Sequence, residues 1–274
     1  MNKNYKTKKA TYYNSSQQVI KIKNPVNKTI PKIKKIKEIK KKTIQPYVSI
    51  ITVTNRKSHM NRVFNNYKWQ NYKNKKFIIV INNNSINIDE WIIESKHYKN
   101  VKIFQLDENL CFSECKIFAF KKCSYDFICH FDDDDFYAPN FIKNGMNYFN
   151  YKDADIIGKK TAFVYFEKSK LLALRFPYQE NCYVDFVLDS SMIIKRRLLS
   201  KVEFPIMKTG ADFEFQKKCI KSGFKIYSTD KYNYVFHRHD STDKHSWKIT
   251  EEKLLKECIQ IKSNINDYTE FVMK

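Results

Sequence analysis

Phe127-Ile128-Cys129-His130-Phe131-Asp132-Asp133-Asp134-Asp135 decides how the rest of this chain is read. A mostly apolar run ends abruptly in four adjacent carboxylates. Such charges repel one another at neutral pH unless a cation compensates them. At the end of a buried strand, where open α/β sheets hold ligands, the quartet points to a divalent-ion site facing a substrate. The competing structural reading is a set of helix caps before Phe136, since Asp favours that position.

Working outward, Val48-Ser49-Ile50-Ile51-Thr52-Val53 and Phe77-Ile78-Ile79-Val80-Ile81 are β-branched, apolar runs of buried-strand type. Val101-Lys102-Ile103-Phe104 is a third short strand, and 127–131 the fourth. The segments between them, 58–71, 89–98 and 113–122, have helical spacing. Strands alternating with helices define βαβ units and a largely parallel sheet. The loops at Thr54-Asn55-Arg56, Asn82–Ser85 and Asp132–Asp135 then converge on one sheet edge. Further on, 139–149 and 212–222 read as helices. Residues 155–157, 162–166, 171–176, 191–194, 224–227 and 232–237 read as strands, and the last 25 residues as helical.

The 274 residues suit one large α/β domain, or a domain plus an appendage. Of the net charge of +22, residues 1–45 carry +13, from 14 Lys against Glu38 alone. That low-complexity stretch buries little and reads as a disordered arm, with Pro46 marking the start of a domain over 46–274. Lysines of this density suit an anionic surface. No nucleic-acid-binding module accompanies them, so no specific nucleic-acid binding is expected. The seven cysteines show no C-x-x-C spacing and read as reduced thiols. With no apolar stretch approaching a membrane span and no secretory h-region, the expected location is cytoplasmic, with the arm allowing a peripheral position at a membrane or spore surface.

The acidic motif, the strands before it, Pro139, and the later Thr209-Gly210-Ala211-Asp212-Phe213-Glu214-Phe215 stand in the same order as in family 2 glycosyltransferases, which the chain resembles over about residues 46–248. Within that family it is most similar to the bacillar spore-maturation type. The resemblance implies a GT-A fold, a Rossmann-like mixed sheet flanked by helices. It implies an inverting transfer from a nucleotide-diphosphate sugar to an acceptor hydroxyl of a glycan, polymer or protein, with Mn²⁺ or Mg²⁺ as cofactor. Asp132 and Asp134 match the metal-binding Asp-x-Asp, and Asp133 falls to the turn or the donor. Asp212 matches the general base; Ala211 stands where the family usually has an acid. Thr52, Thr54, Asn82 and Asn83 match the nucleotide site. The two amides replace the family's usual acids but can still pair with uracil, which favours a UDP-sugar. In His237-Arg238-His239-Asp240-Ser241, the resemblance gives Arg238 to the diphosphate and His239 to the metal, with His245 in reserve beside Trp247. Glu114 and Cys115 stand near the family's donor-contacting helix, where the usual Arg-Asn is absent and Lys116 is a weak substitute. Arg175, Tyr178 and Gln179 are candidates to meet the acceptor.

Two other classes compete. A nucleotidyltransferase also uses metal-held phosphates but normally has a Gly-rich loop after its first strand, and no Gly precedes Gly145 here. A degenerate transferase domain serving as a binding scaffold is the non-enzymatic alternative, suggested by Ala211 and the Asn82-Asn83 pair.

Overall fold

The computed structural model describes residues 45–239 and 249–274. The Lys-rich arm apart from Gln45, and Asp240, Ser241, His245 and Trp247, lie outside the described residues.

The chain opens β1 (Val48–Thr54), α1 (Met60–Trp69), β2 (Lys75–Ile81), α2 (Ile88–Ser95), β3 (Val101–Gln105), α3 (Phe112–Lys122) and β4 (Phe127–His130). There follow β5 (Phe136–Tyr137), α4 (Phe141–Tyr151), β6 (Ile156–Gly158), β7 (Ala162–Phe166), β8 (Leu171–Arg175), β9 (Cys182–Tyr183) and β10 (Ile193–Lys195). The C-terminal part holds α5 (Ala211–Lys221), β11 (Ile226–Ser228), β12 (Tyr234–Arg238), α6 (Glu251–Leu255), β13 (Cys258–Lys262) and α7 (Thr269–Val272). Eight strands form one sheet in the order β3-β2-β1-β4-β10-β6-β11-β9. Its β3-β2-β1-β4 half is parallel, and β10 runs antiparallel to both β4 and β6. The expected mixed sheet is therefore present.

The apolar runs are continuous because both faces of this sheet are covered. Val48, Ile50, Phe77, Ile79 and Cys129 pack with Phe64 of α1, Trp91 of α2 and Met146 of α4. Ile51, Val53, Ile78, Val80 and Ile128 pack on the other side with Cys115 and Ala119 of α3 and Phe215 of α5. Each such fully buried Ile or Val contributes roughly 1.5–3 kcal/mol relative to exposure.

A second sheet, β13-β8-β7-β12-β5, was not expected from the sequence. Its strand β13 corrects the helical reading of the last 25 residues: Cys258–Lys262 pairs antiparallel with β8. Cys258-Ile259-Gln260-Ile261-Lys262 alternates with the period of a strand, and β8 offers it an open edge. The two sheets join where the acidic quartet leaves β4 and β5 begins, for β5 pairs with β12 of the second sheet.

Candidate active site

In the parallel half of the large sheet, β1, β2, β3 and β4 all end at one edge. The antiparallel β10 starts at that edge, since the His130 amide donates to the Met192 carbonyl at 3.0 Å. The quartet and the 189–191 turn that leads into β10 thus meet although they are far apart in sequence. Asp212 stands in the first turn of α5, which starts after Gly210 at φ 74°, a left-handed conformation that suits glycine.

The four aspartates have four different environments. Asp133 is gripped by Arg56, whose Nε donates at 3.1 Å and whose Nη2 also reaches the carboxylate, and by the Thr54 hydroxyl. Asp134 lies 2.9 Å from Arg56 Nη2 and 3.2 Å from His239 Nε2. Burial would raise the proton affinity of both carboxylates. The hydrogen bonds of His59 and Arg56 to Asp133, and those of His239 and Arg56 to Asp134, outweigh burial and hold both below the ordinary range. Asp135 has no exposed surface and accepts from Tyr234 Oη at 2.6 Å and from the His237 amide at 2.9 Å. Burial, then the charge of Asp134, pushes its carboxyl up to about 7. Asp132 turns to His130, with Oδ1 3.3 Å from Nε2. Its enclosure in the loop pushes its proton affinity well above the usual carboxylate range against the pull of His130, although a third (33%) of the side chain still meets solvent. None of the four caps α4, whose N-cap is Asn140.

Two side-chain networks escaped the sequence reading. In the first, Glu167, just past β7, bridges His237 of β12 and His239 just after it: Oε1 lies 3.0 Å from His237 Nδ1, and Oε2 lies 2.7 Å from His239 Nδ1. His237 Nε2 meets Tyr268 Oη at 2.6 Å. Hydrogen bonds to Asp134 and Glu167 raise His239 to about 9, and those from the two histidines lower Glu167. In the second, Lys116 of α3, with no exposed surface, sets Nζ against Asp189 Oδ1 and 3.2 Å from His130 Nδ1. Asp189 Oδ2 lies 3.2 Å from the same His130 nitrogen. Burial would raise Asp189, but the charges of Lys116 and His130 bring it well below the ordinary range. Burial, followed by the charge of Asp189, raises Asp212, with Lys116 opposing. Lys116, His130, Asp132, Asp189 and Asp212 therefore form one electrostatic group.

Several expected residues are occupied elsewhere. Thr52 is 1% exposed and donates its hydroxyl to the Phe131 carbonyl at 2.8 Å, stapling β1 to the chain beyond β4 instead of facing the loop cluster. Arg238 ends β12 between His237 and His239, so the alternation of extended chain turns it to the opposite face. It is 2% exposed, and its guanidinium donates to the Ile249 carbonyl. Arg175 pairs with Glu257, with Nε to Oε2 at 2.9 Å. Asn82 donates to the Asp107 carbonyl at 2.6 Å. Asn83 donates to the Asn55 carbonyl at 3.0 Å and accepts from the Ser85 amide at 2.8 Å. Both amides thus help shape the turn at the sheet edge.

Among the described residues no three His, Cys, Asp or Glu side chains form a closed metal cage. A small divalent ion bound through substrate phosphates does not need one, because it takes one or two carboxylates and leaves positions for phosphate oxygens. Two donors held at about 2.1 Å and a right angle stand about 3 Å apart, close to the 3.2 Å between His239 Nε2 and Asp134 Oδ2. A ring nitrogen opposite a carboxylate-bound Nδ1 is also the usual arrangement of a metal-binding imidazole. On these grounds the pair fits Mn²⁺ or Mg²⁺ once His239 gives up the Nε2 proton that it shares with Asp134, which the ion would displace.

A family model described as Glycosyl transferase family 2 matches residues 49–191, more than half of the chain. No curated relative matches. Among solved structures, the chain is similar to TarS 1–349 of S. aureus in complex with UDP-GlcNAc, with a TM-score of 0.60 and 18% identity over 77% of this chain and 64% of that one. It is also similar to the mannosyltransferase PcManGT from Pyrobaculum calidifontis in complex with GDP-Man and Mn²⁺, with a TM-score of 0.57 and 13% identity over 72% of this chain and 57% of that one. The chain therefore spans less than two thirds of each of these structures, with which it shares the GT-A fold.

Proposed function

The chain belongs to glycosyl transferase family 2, and from that premise we propose that it moves a sugar from a nucleotide diphosphate, favouring UDP, to an acceptor hydroxyl with inversion at the anomeric carbon. The observation that carries the reading is the meeting of Asp134 with His239 at the sheet edge that also gathers Asp132 and Asp189.

Asp134 and His239 would hold Mn²⁺ or Mg²⁺ with help from Asp132. The bound ion supplies Lewis acidity, offsetting the charge that grows on the departing diphosphate. Glu167 orients His239 by holding Nδ1, so that Nε2, on giving up the proton it shares with Asp134, would be placed to take the ion. Arg56 is suited to exchange its carboxylate partners for phosphate oxygens when the donor arrives, because its planar fork matches either. Thr54, Asp133, Asn82 and Asn83 border the nucleotide side. Asp212 takes the proton of the acceptor hydroxyl as that oxygen bonds to the anomeric carbon. The bond from that carbon to the diphosphate oxygen breaks, and its electron pair leaves with the diphosphate. A raised proton affinity suits Asp212 to this work, because a base is most effective when its pKa approaches the working pH.

The complexes of the similar structures with UDP-GlcNAc and GDP-Man support a nucleotide-sugar donor. The first 45 residues are proposed as an arm that attaches the domain to an anionic surface. A panel of UDP- and GDP-sugars, each with Mn²⁺ or Mg²⁺, tests the reading by metal-dependent release of the free nucleotide and by thermal stabilisation. Failure of every donor to bind would overturn it.

A further inference from the structure

A cavity of about 630 Å³ opens between the 176–179 loop, Lys160, Phe186 and the 256–259 segment. We propose that it is the acceptor subsite and that it takes a neutral oligosaccharide. The transferase reading enters only in naming this saccharide as the acceptor.

Three observations converge. The first is a ladder of rings that runs from the cavity to the first turn of α5, where Asp212 also stands. Phe176 and Phe186 line it with centroids 5.8 Å apart, and Phe186 meets Phe213 at 5.7 Å. Phe213 is half exposed and follows Asp212 directly in α5. The second is a strained but firmly held wall. Phe176, Tyr178 and Asn181 have φ of 46°, 67° and 55°. That left-handed region is unfavourable for residues with a Cβ, above all bulky ones, and persists where the surroundings impose it, often at ligand sites. Here the Thr161 hydroxyl imposes it by donating to the Phe176 carbonyl at 2.6 Å and accepting from the Gln179 amide at 2.9 Å, while the Phe176 amide donates to the Glu257 carbonyl at 3.1 Å. The wall is thus set before any ligand arrives, which lowers the ordering penalty of binding.

The third observation is charge. Lys160 sits 4.3 Å from the Phe186 ring centre and pairs with Asp185, and the Arg175 guanidinium sits 4.4 Å from that of Phe176 and pairs with Glu257. Two of the three cations here, Lys160 and Arg175, are matched by acids and Lys256 adds a single charge, so the cavity does not favour a polyanionic chain. What it presents is apolar ring area bordered by hydrogen-bonding groups, Gln179, Glu257 and Lys256. A pyranose ring has the complementary surface, with C–H faces to lie on the rings and hydroxyls at its edge for the polar groups. The volume falls within the about 300–1,000 Å³ of sites that hold small ligands.

Saturation-transfer NMR on the full chain tests this, with chitotetraose, cellotetraose and mannotetraose as probes. At least one should receive magnetisation through its ring C–H protons. Its affinity should fall tenfold or more in F186A and in Q179W, whose indole fills the cavity from an exposed position. UDP or GDP binding and acceptor-free release of nucleotide from the donor should stay unchanged in both. Q179W keeps the test decisive if F186A fails to fold. Undiminished saccharide binding in the folded variants, or no binding of any of the three probes, overturns the proposal. Saccharide binding by a protein that binds no nucleotide would instead overturn the transferase reading and leave the groove standing.

Discussion

Replacing Asp189 by Asn preserves the shape of the side chain and removes its charge. Lys116 has no exposed surface, and its ammonium meets Asp189 Oδ1 and, at 3.2 Å, His130 Nδ1. Without the carboxylate that buried ammonium loses its compensation, and breaking a buried pair in this way costs about 3–5 kcal/mol. A domain of this kind has roughly 5–15 kcal/mol in total. With a urea m-value of about 2–3 kcal/mol/M, the unfolding midpoint of D189N should fall by about 1–2.5 M. In K116M the Asp189 carboxylate keeps 19% of its surface in water, so the loss there should be smaller. The double variant K116M/D189N, with neither charge, should regain most of the loss, giving a coupling of about 2 kcal/mol or more in a double-mutant cycle. The cycle is read by urea unfolding followed through tryptophan fluorescence. Additive single effects, or a D189N midpoint within about 0.3 M of the wild type, would refute the assignment of Lys116 and Asp189 as a mutually dependent buried pair.

D212N should retain nucleotide and Mn²⁺ binding while transfer falls by about 10²–10⁴-fold, the usual contribution of a general base; unchanged transfer would remove Asp212 from that role. Because the base works deprotonated and its proton affinity is raised, the acid limb of kcat/KM should lie above the ordinary aspartate range, and K116Q should move it higher by removing the opposing charge. E167Q should weaken Mn²⁺ binding by about 10–100-fold, read by the free-ion signal in electron paramagnetic resonance, and equal affinity would show that His239 needs no orienting carboxylate. Asp135 is raised from 3.8 to about 7 by burial and the charge of Asp134. The folded state therefore holds a proton that the unfolded chain releases, and wild-type stability should decline between those pH values relative to D135N and then run parallel to it. Urea midpoints taken across that range check the sign. Deleting residues 1–44 should leave transfer to a soluble acceptor intact and abolish co-sedimentation with phosphatidylserine vesicles; loss of transfer in solution would make the arm part of the catalytic domain.

What was legible came from local pattern. The runs at 48–53 and 77–81 read as strands because the sheet is covered on both faces, and the quartet read as a loop at its edge because β4 ends at His130. The second sheet was hidden because its pairings are remote: β12 lies beside β7, and β13 beside β8. Arg56 stood in a quoted motif with no role, since nothing local shows that its guanidinium reaches Asp133 and Asp134. Glu167 was missed for the same reason: a lone acid at a hairpin gains meaning only when β7 and β12 align. Strand alternation was the usable signal that could have separated His237 and His239 from Arg238.

The hydrogen bond from the His237 amide to Asp135 acts as a gauge of alignment for β12. A slip of one residue in that strand would exchange its faces, putting Arg238 where His239 now meets Asp134 and moving the His237 amide away from the fully buried Asp135 carboxyl. Misalignment would therefore be penalised in stability as well as in chemistry. Single-residue insertions between β11 and β12, in 229–233, should be selected against even in variants that no longer need to turn over substrate.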